Sequence, residues 1–264
     1  MAIMKNDIPI LEYDADPLGV IMPDHEHINI NLPKKAVFAF PRDDVDRYAK
    51  EHNAVAVAHF ESATKEYPVY LLDVDGQQIC LVQAPVGAPA ATQILDWLIA
   101  YGVRELISCG SCGVLVDIPE NAFLVPYKAL RDEGTSYHYL PPERFVEVSE
   151  KARYAVEKTM KNHGLPYIEV VTWSTDGFFR ETKEKVAYRK SEGCSVVEME
   201  CSALAACATS VHCASELNRQ LYIAGRVKAT KQCIFLAVTL VIMGKWKTMC
   251  KIKKCNCLKR FLMI

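Results

Sequence analysis

The chain has 264 residues, half of them hydrophobic, and a formal net charge of −1. That is enough apolar material for one large core or two small ones, and the near-zero total argues against a nucleic-acid partner. The first ten residues lack the continuous apolar core of a secretory leader, and the longest apolar run, Ile234 to Met243, is shorter than a membrane span. A cytoplasmic protein with no membrane partner is expected.

In chain order, Ala36 to Phe40 predicts a buried strand and Asp43 to His52 a helix, with Val45, Tyr48 and Ala49 at helical spacing. Val55 to Phe60, Val69 to Val74 and Gln78 to Gln83 predict strands, with Asp75-Gly76 as the hairpin turn between the last two. Ala88 to Tyr101 predicts an amphipathic helix, ended by Gly102. Glu105 to Ser108 predicts a strand leading into Cys109-Gly110-Ser111-Cys112-Gly113. Ala122 to Val125 predicts another strand, followed by a polar loop from Arg131 to Tyr139 that Pro141-Pro142 closes. Ser149 to His163 predicts a helix, Ile168 to Trp173 a strand, Ser174 to Arg180 a loop and Thr182 to Lys190 a helix. Val196 to Met199 predicts a last strand, and an Ala-rich helix starts at Ser202. Alternating strands and helices with short links predict an α/β fold, a single domain with a central mixed β-sheet flanked by helices.

Eleven cysteines do not form a disulfide framework here, because Cys80, Cys109, Cys112, Cys194 and Cys201 sit in apolar or Gly-rich stretches, as reduced core cysteines do. Cys109 and Cys112 form a C-x-x-C, but no second ligand pair follows at zinc spacing, so no metal is expected.

Three loops follow buried strands, where α/β proteins gather ligand groups. In Gly110-Ser111-Cys112-Gly113, two glycines around a hydroxyl let backbone N–H groups approach an oxyanion or a ribose; alternatively the segment is a structural turn. In Thr175 to Glu181, Phe178 and Phe179 can stack on a flat ring and Arg180 can bond its edge, or the aromatics plug the core and Arg180 is solvated. In Val196 to Cys201, Glu198 and Glu200 flank Met199 at an apolar strand end. Buried carboxylates need partners, and these are either vicinal ribose hydroxyls or a structural cation.

The segments SCGSCGVL, RDEGTSYHY with the following Pro141, WSTDGFFRET and VVEMECSALAA, in this order between about residues 36 and 207, resemble the nucleoside phosphorylase superfamily, which includes uridine and purine nucleoside phosphorylases and nucleosidases. The resemblance implies a homo-oligomer, dimer or hexamer, that takes a nucleoside and inorganic phosphate as its co-substrate and no cofactor. It implies that Glu200 holds the ribose hydroxyls, with Met199 against the sugar and Glu198 close to base or ribose. Phe178 is expected against the base with Arg180 nearby, Cys112 and Gly113 in the base pocket, and Ser111 with Gly110 at phosphate and ribose. RDEGTSYHY favours the uridine-phosphorylase-like branch.

Phosphate-using members commonly carry an Arg just ahead of the Gly-rich loop and another in an N-terminal turn. This chain has Ser108 at the first position and Asp43-Asp44 near the second, leaving Lys65 and Arg42 as the expected phosphate-binding cations. Water as the nucleophile, giving a nucleosidase, stays open, as does an inactive nucleoside-binding protein. From Ala208 onward there are 11 Lys/Arg and one acid, against 20 Lys/Arg and 31 acids before it. A catalytic domain over 1–207 and a divergent or frameshifted basic tail over 208–264 are therefore expected.

Overall fold

The computed structural model describes residues 3–210, 234–237 and 239–240. It has two mixed sheets with helices packed on them. The first sheet contains β1 (Lys35–Ala39), β2 (Val55–Glu61), β3 (Glu66–Val74), β4 (Gln77–Gln83), β5 (Glu105–Cys109) and β11 (Ile234–Ala237) in the order β11-β5-β1-β4-β3-β2. The second contains β6 (Gly113–Val114), β7 (Phe123–Asp132), β8 (Phe145–Glu147), β9 (Tyr167–Thr175), β10 (Val196–Glu198) and β12 (Thr239–Leu240), ordered β12-β7-β9-β10-β6 with β8 beside β7.

The first three helices are each positioned by an apolar stripe. α1 (Arg42–Glu51) buries Val45 and Ala49. α2 (Ala88–Ala100) is almost wholly interior, burying Ala91, Ile94, Leu95, Leu98 and Ile99 against β1, β4 and the last helix. α3 (Glu150–Asn162) buries Ala152, Val156 and Met160 against the other face, beside Val37, Leu81 and Val125. α4 (Lys183–Ser191) starts at Thr182, whose hydroxyl accepts the Lys185 N–H. A fifth helix, α5, occupies 201–210; Ala203 to Ala208 are all buried, so its Ala-rich sequence lets neighbouring backbones approach closely.

Parallel pairing decides where the loops go. Ala39 at the end of β1 lies opposite Gln83 and Cys109, so β1, β4 and β5 end together. Likewise Asp132 pairs with Thr175 and Ser174 with Glu198, so β7, β9 and β10 end together. The loops that follow these six strands carry most of the predicted site residues.

Two differences from the sequence reading have local causes. β7 runs on to Asp132, through residues expected to be loop, because Arg131 is buried. Its guanidinium donates to Ser136 Oγ at 2.9 Å and to the carbonyls of Leu140 and Pro141 at 3.1 and 2.7 Å. β8 was not expected; it is a three-residue strand that pairs with Lys128–Leu130. The expected break at 207 falls inside α5. Most of the expected divergent tail lies outside the described residues, but β11 pairs in parallel with β5 and β12 antiparallel with β7.

Candidate active site

Glu198 ends β10 with its carboxylate fully engaged by neutral donors. Oε1 accepts Thr172 Oγ1 at 3.1 Å and Ser174 Oγ at 2.5 Å, both from β9. Oε2 accepts the backbone N–H groups of Glu200 at 2.7 Å and Cys201 at 2.6 Å. Those two amides open the first turn of α5, where no intrahelical carbonyl is available, so Glu198 serves as the cap of that helix. Burial raises its pKa, and the hydroxyl and amide donors act in the opposite direction.

Glu200 is also buried but much less engaged. Its Oε1 accepts the N–H of Gly87 at 2.6 Å. Gly87 is the residue before α2, with φ at +102°, a backbone state that side-chain-bearing residues rarely adopt. The contact therefore sets Glu200 beside the positive end of α2. Burial first, then the charges of Glu198 and Asp176, push the Glu200 pKa up to about 8, opposed by the N–H groups of Gly87 and Met199. Neither Glu198 nor Glu200 is ion-paired among the described residues. Met199, half-buried, links the two.

The Gly-rich loop lies beside this strand end. Gly113 pairs with Val197 in the β6–β10 ladder, and a Cβ there would come within 2.8 Å of Val197 Cγ1, so only glycine allows the approach. Cys112 is buried, and burial together with the Glu198 charge raises its thiol well above the ordinary value. Burial pushes the Cys109 thiol up to about 12, which suits inert core cysteines. Ser111 is exposed at the loop tip, and Gly110 packs on the Phe40 ring of the loop after β1. No trio of His, Cys, Asp or Glu placed to hold a metal ion occurs among the described residues.

The loop after β9 forms a short 3₁₀ turn at Phe178–Arg180. Phe178 is half-buried and meets Phe179 edge-on at 4.9 Å, while Phe179 is 90% exposed and Arg180 is exposed. Lys65 donates to Gln83 at the end of β4 and lies over the Tyr67 ring. Arg42 opens α1; its side chain lies outside the described residues.

Several participants were not singled out from sequence: Gly87, Thr172, Ser174, Glu133, Ser202 and Asp176. Asp176 Oδ2 accepts the Gly134 N–H at 2.8 Å and stands close enough to act on Glu200. The usable signal was an acid within each polar loop, Glu133 and Asp176; nothing local marks the glycine before α2 as a carboxylate's partner.

A family model described as the phosphorylase superfamily matches residues 36–215. Uridine phosphorylase of Haemophilus influenzae is 26% identical over 176 residues, covering 63% of this chain and 69% of that protein. An uncharacterized protein of Acanthamoeba polyphaga mimivirus is 32% identical over 126 residues, covering 46% of this chain and 47% of that protein. Among solved structures, AMP nucleosidase from Bacteroides thetaiotaomicron superposes with a TM-score of 0.62 at 20% identity, covering 80% of this chain and 81% of that one. Purine nucleoside phosphorylase from Toxoplasma gondii, in complex with immucillin-H, gives 0.61 at 17% identity, covering 83% and 79%. These two establish likeness of fold.

Proposed function

This chain belongs to the phosphorylase superfamily, and on that premise we propose that it cleaves the N-glycosidic bond of a nucleoside, with inorganic phosphate as the nucleophile and no further cofactor. Uridine is placed ahead of purine nucleosides on the strength of the RDEGTSYHY loop and the uridine phosphorylase relative. The observation that carries the reading is Glu200, a buried carboxyl that meets only backbone N–H groups, those of Gly87 and Met199, beside two glycine-bearing loops and is unpaired with any cation among the described residues. Buried acids are costly unless they receive hydrogen bonds, and vicinal ribose hydroxyls are suitable donors.

In this reading Glu200 fixes the sugar, Met199 lies against it and Phe178 lies against the base. Phosphate enters beside Gly110 and Ser111 and one of its oxygens bonds to C1′ as the C1′–N bond breaks. The bonding pair leaves on the base nitrogen, the base takes up a proton, and ribose 1-phosphate is the second product. The site's contribution is alignment and stabilisation of a ribosyl-cation-like state. We place the protein in the cytoplasm as a homo-oligomer, dimer or hexamer; no described helix is long and apolar enough to cross a membrane.

Hydrolysis on the same fold is the second reading. It is favoured by Ser108, buried and neutral where phosphate-using relatives commonly carry an Arg, and by the engagement of Lys65 with Gln83. The test is base release from uridine and from purine nucleosides with and without phosphate. Release that requires phosphate, with ribose 1-phosphate formed, supports the first reading. Release without it selects hydrolysis, and binding without release removes both.

A further inference from the structure

Glu133 is a buried carboxylate, 5% exposed, just past the end of β7. Among the described residues no cation pairs with it. Oε2 accepts the N–H groups of Thr135 at 2.6 Å and Ser136 at 3.0 Å, which folds its own loop. Oε1 does something the loop does not require: it accepts Ser202 Oγ at 2.7 Å, from a residue 69 positions along the chain.

Ser202 is fully buried in the first turn of α5, and both of its hydrogen-bond donors are used. Its N–H donates to Ser174 Oγ at 2.9 Å, and Ser174 Oγ in turn donates to Glu198 Oε1 at 2.5 Å. Glu198 Oε2 then holds the N–H groups of Glu200 and Cys201. A continuous run of bonds thus leads from Glu133 through Ser202, Ser174 and Glu198 to the backbone of Glu200. The adjoining Gly134 N–H fixes Asp176, the acid whose charge reaches Glu200. One dipeptide therefore anchors both the helix turn that follows Glu200 and an acid whose charge acts on it.

We propose that Glu133 is a positioning residue for Glu200, acting through the Ser202 hydroxyl to hold the first turn of α5 in the geometry that grips the sugar. The proposal rests on the reading of Glu200 as the ribose-binding group. A fixed acceptor binds a substrate without first being ordered, and a buried network of this kind transmits the loss of one member to the others.

The test uses the full chain and the variants S202A, E133Q and the double variant. S202A removes one hydroxyl and leaves the turn within the 133–136 loop intact, so it reports on the link even where E133Q fails to fold. Two readouts are taken: amide hydrogen exchange over Glu200 and Cys201, and kcat and KM for the nucleoside. Expected are exchange about tenfold faster at these two amides and KM about tenfold higher with a smaller change in kcat. The double variant is expected to be no worse than the poorer single variant, as for members of one network. Unchanged exchange and KM in folded S202A overturn the proposal, as do losses that multiply in full. If the parent chain cleaves no nucleoside, the functional reading fails, and the exchange rates at Glu200 and Cys201 still decide whether Ser202 and Glu133 hold that turn.

Discussion

Glu200 Oε1 accepts the backbone N–H of Gly87 at 2.6 Å, across 113 residues of sequence. The contact ties the start of α2 to the turn between β10 and α5, and it gives the two glutamates of the Glu-Met-Glu stretch different work. Glu198 is saturated by four protein donors, two of them hydroxyls, while Glu200 meets only the backbone N–H groups of Gly87 and Met199 and is raised in pKa by its surroundings. The second glutamate is therefore the one suited to meet a ligand, and the first the one that shapes the turn.

Replacing Glu200 by Gln keeps an acceptor for Gly87 while removing the ionisable carboxyl. We expect kcat/KM for the nucleoside to fall by about a hundredfold, with circular dichroism and melting temperature close to those of the parent. Activity retained within a factor of two or so would remove the ribose assignment.

Stability should depend on pH through the same residue. Its pKa rises from 4.5 unfolded to about 8 folded, so between those values the folded chain keeps a proton that the unfolded chain releases. This contribution to stability is complete below the unfolded value and is lost as pH rises through about 8. Thermal melts from about pH 6 to about pH 9 should fall more steeply for the parent than for E200Q. Parallel curves would mean that Glu200 is not protonated in the folded state.

Glu198 should behave as a stability residue. In E198Q an amide N–H₂ faces either two backbone N–H donors or two hydroxyls, and the cap of α5 is weakened. A loss of about 2 kcal/mol in urea unfolding is expected, larger than for E200Q. Equal stability of the two variants would contradict the division of roles.

The two aromatics of the turn after β9 should separate cleanly. Phe179 is 90% exposed, so F179A should change stability by less than about 0.5 kcal/mol. If a base stacks on half-buried Phe178, F178A should raise KM by about tenfold, as loss of base–aromatic stacking does. Kinetics of the two variants side by side make the comparison, and equal KM values would move the base elsewhere.

A chain ending at residue 233 should aggregate on expression. β11 and β12 pair with Glu105–Ser108 of β5 and with Phe123–Leu124 of β7, and removing them turns paired backbone groups into open sheet edges. A soluble, monodisperse truncated chain, judged by size-exclusion chromatography, would show that these pairings are dispensable.

Much of the fold was legible beforehand. The run at Ala36–Phe40, the Asp75-Gly76 turn, the stripe of Ile94, Leu95 and Leu98, and the charged helix begun by Thr182 all stand within a few residues of their predicted places. The pattern is local in each case, with apolar spacing of two or 3.6 residues and a turn or cap at the boundary. Continuation of β7 through Arg131 and Asp132 was not legible, because polar letters there suggest a loop. Only the fold supplies the Leu140 and Pro141 carbonyls that let an arginine be buried in a strand.

The sequence by itself determined that strands and helices alternate, that loops rich in Gly, Ser and acids follow buried strands, and that two glutamates stand two apart at a strand end. Tertiary structure decided which glutamate is saturated by hydroxyl donors from β9 and which meets the start of α2. The donors that make the difference, on Thr172, Ser174 and Gly87, come from β9 and from the start of α2. The cost of burying a carboxylate depends on what is packed around it, and here distant segments add to the local backbone donors the groups that tell the two glutamates apart.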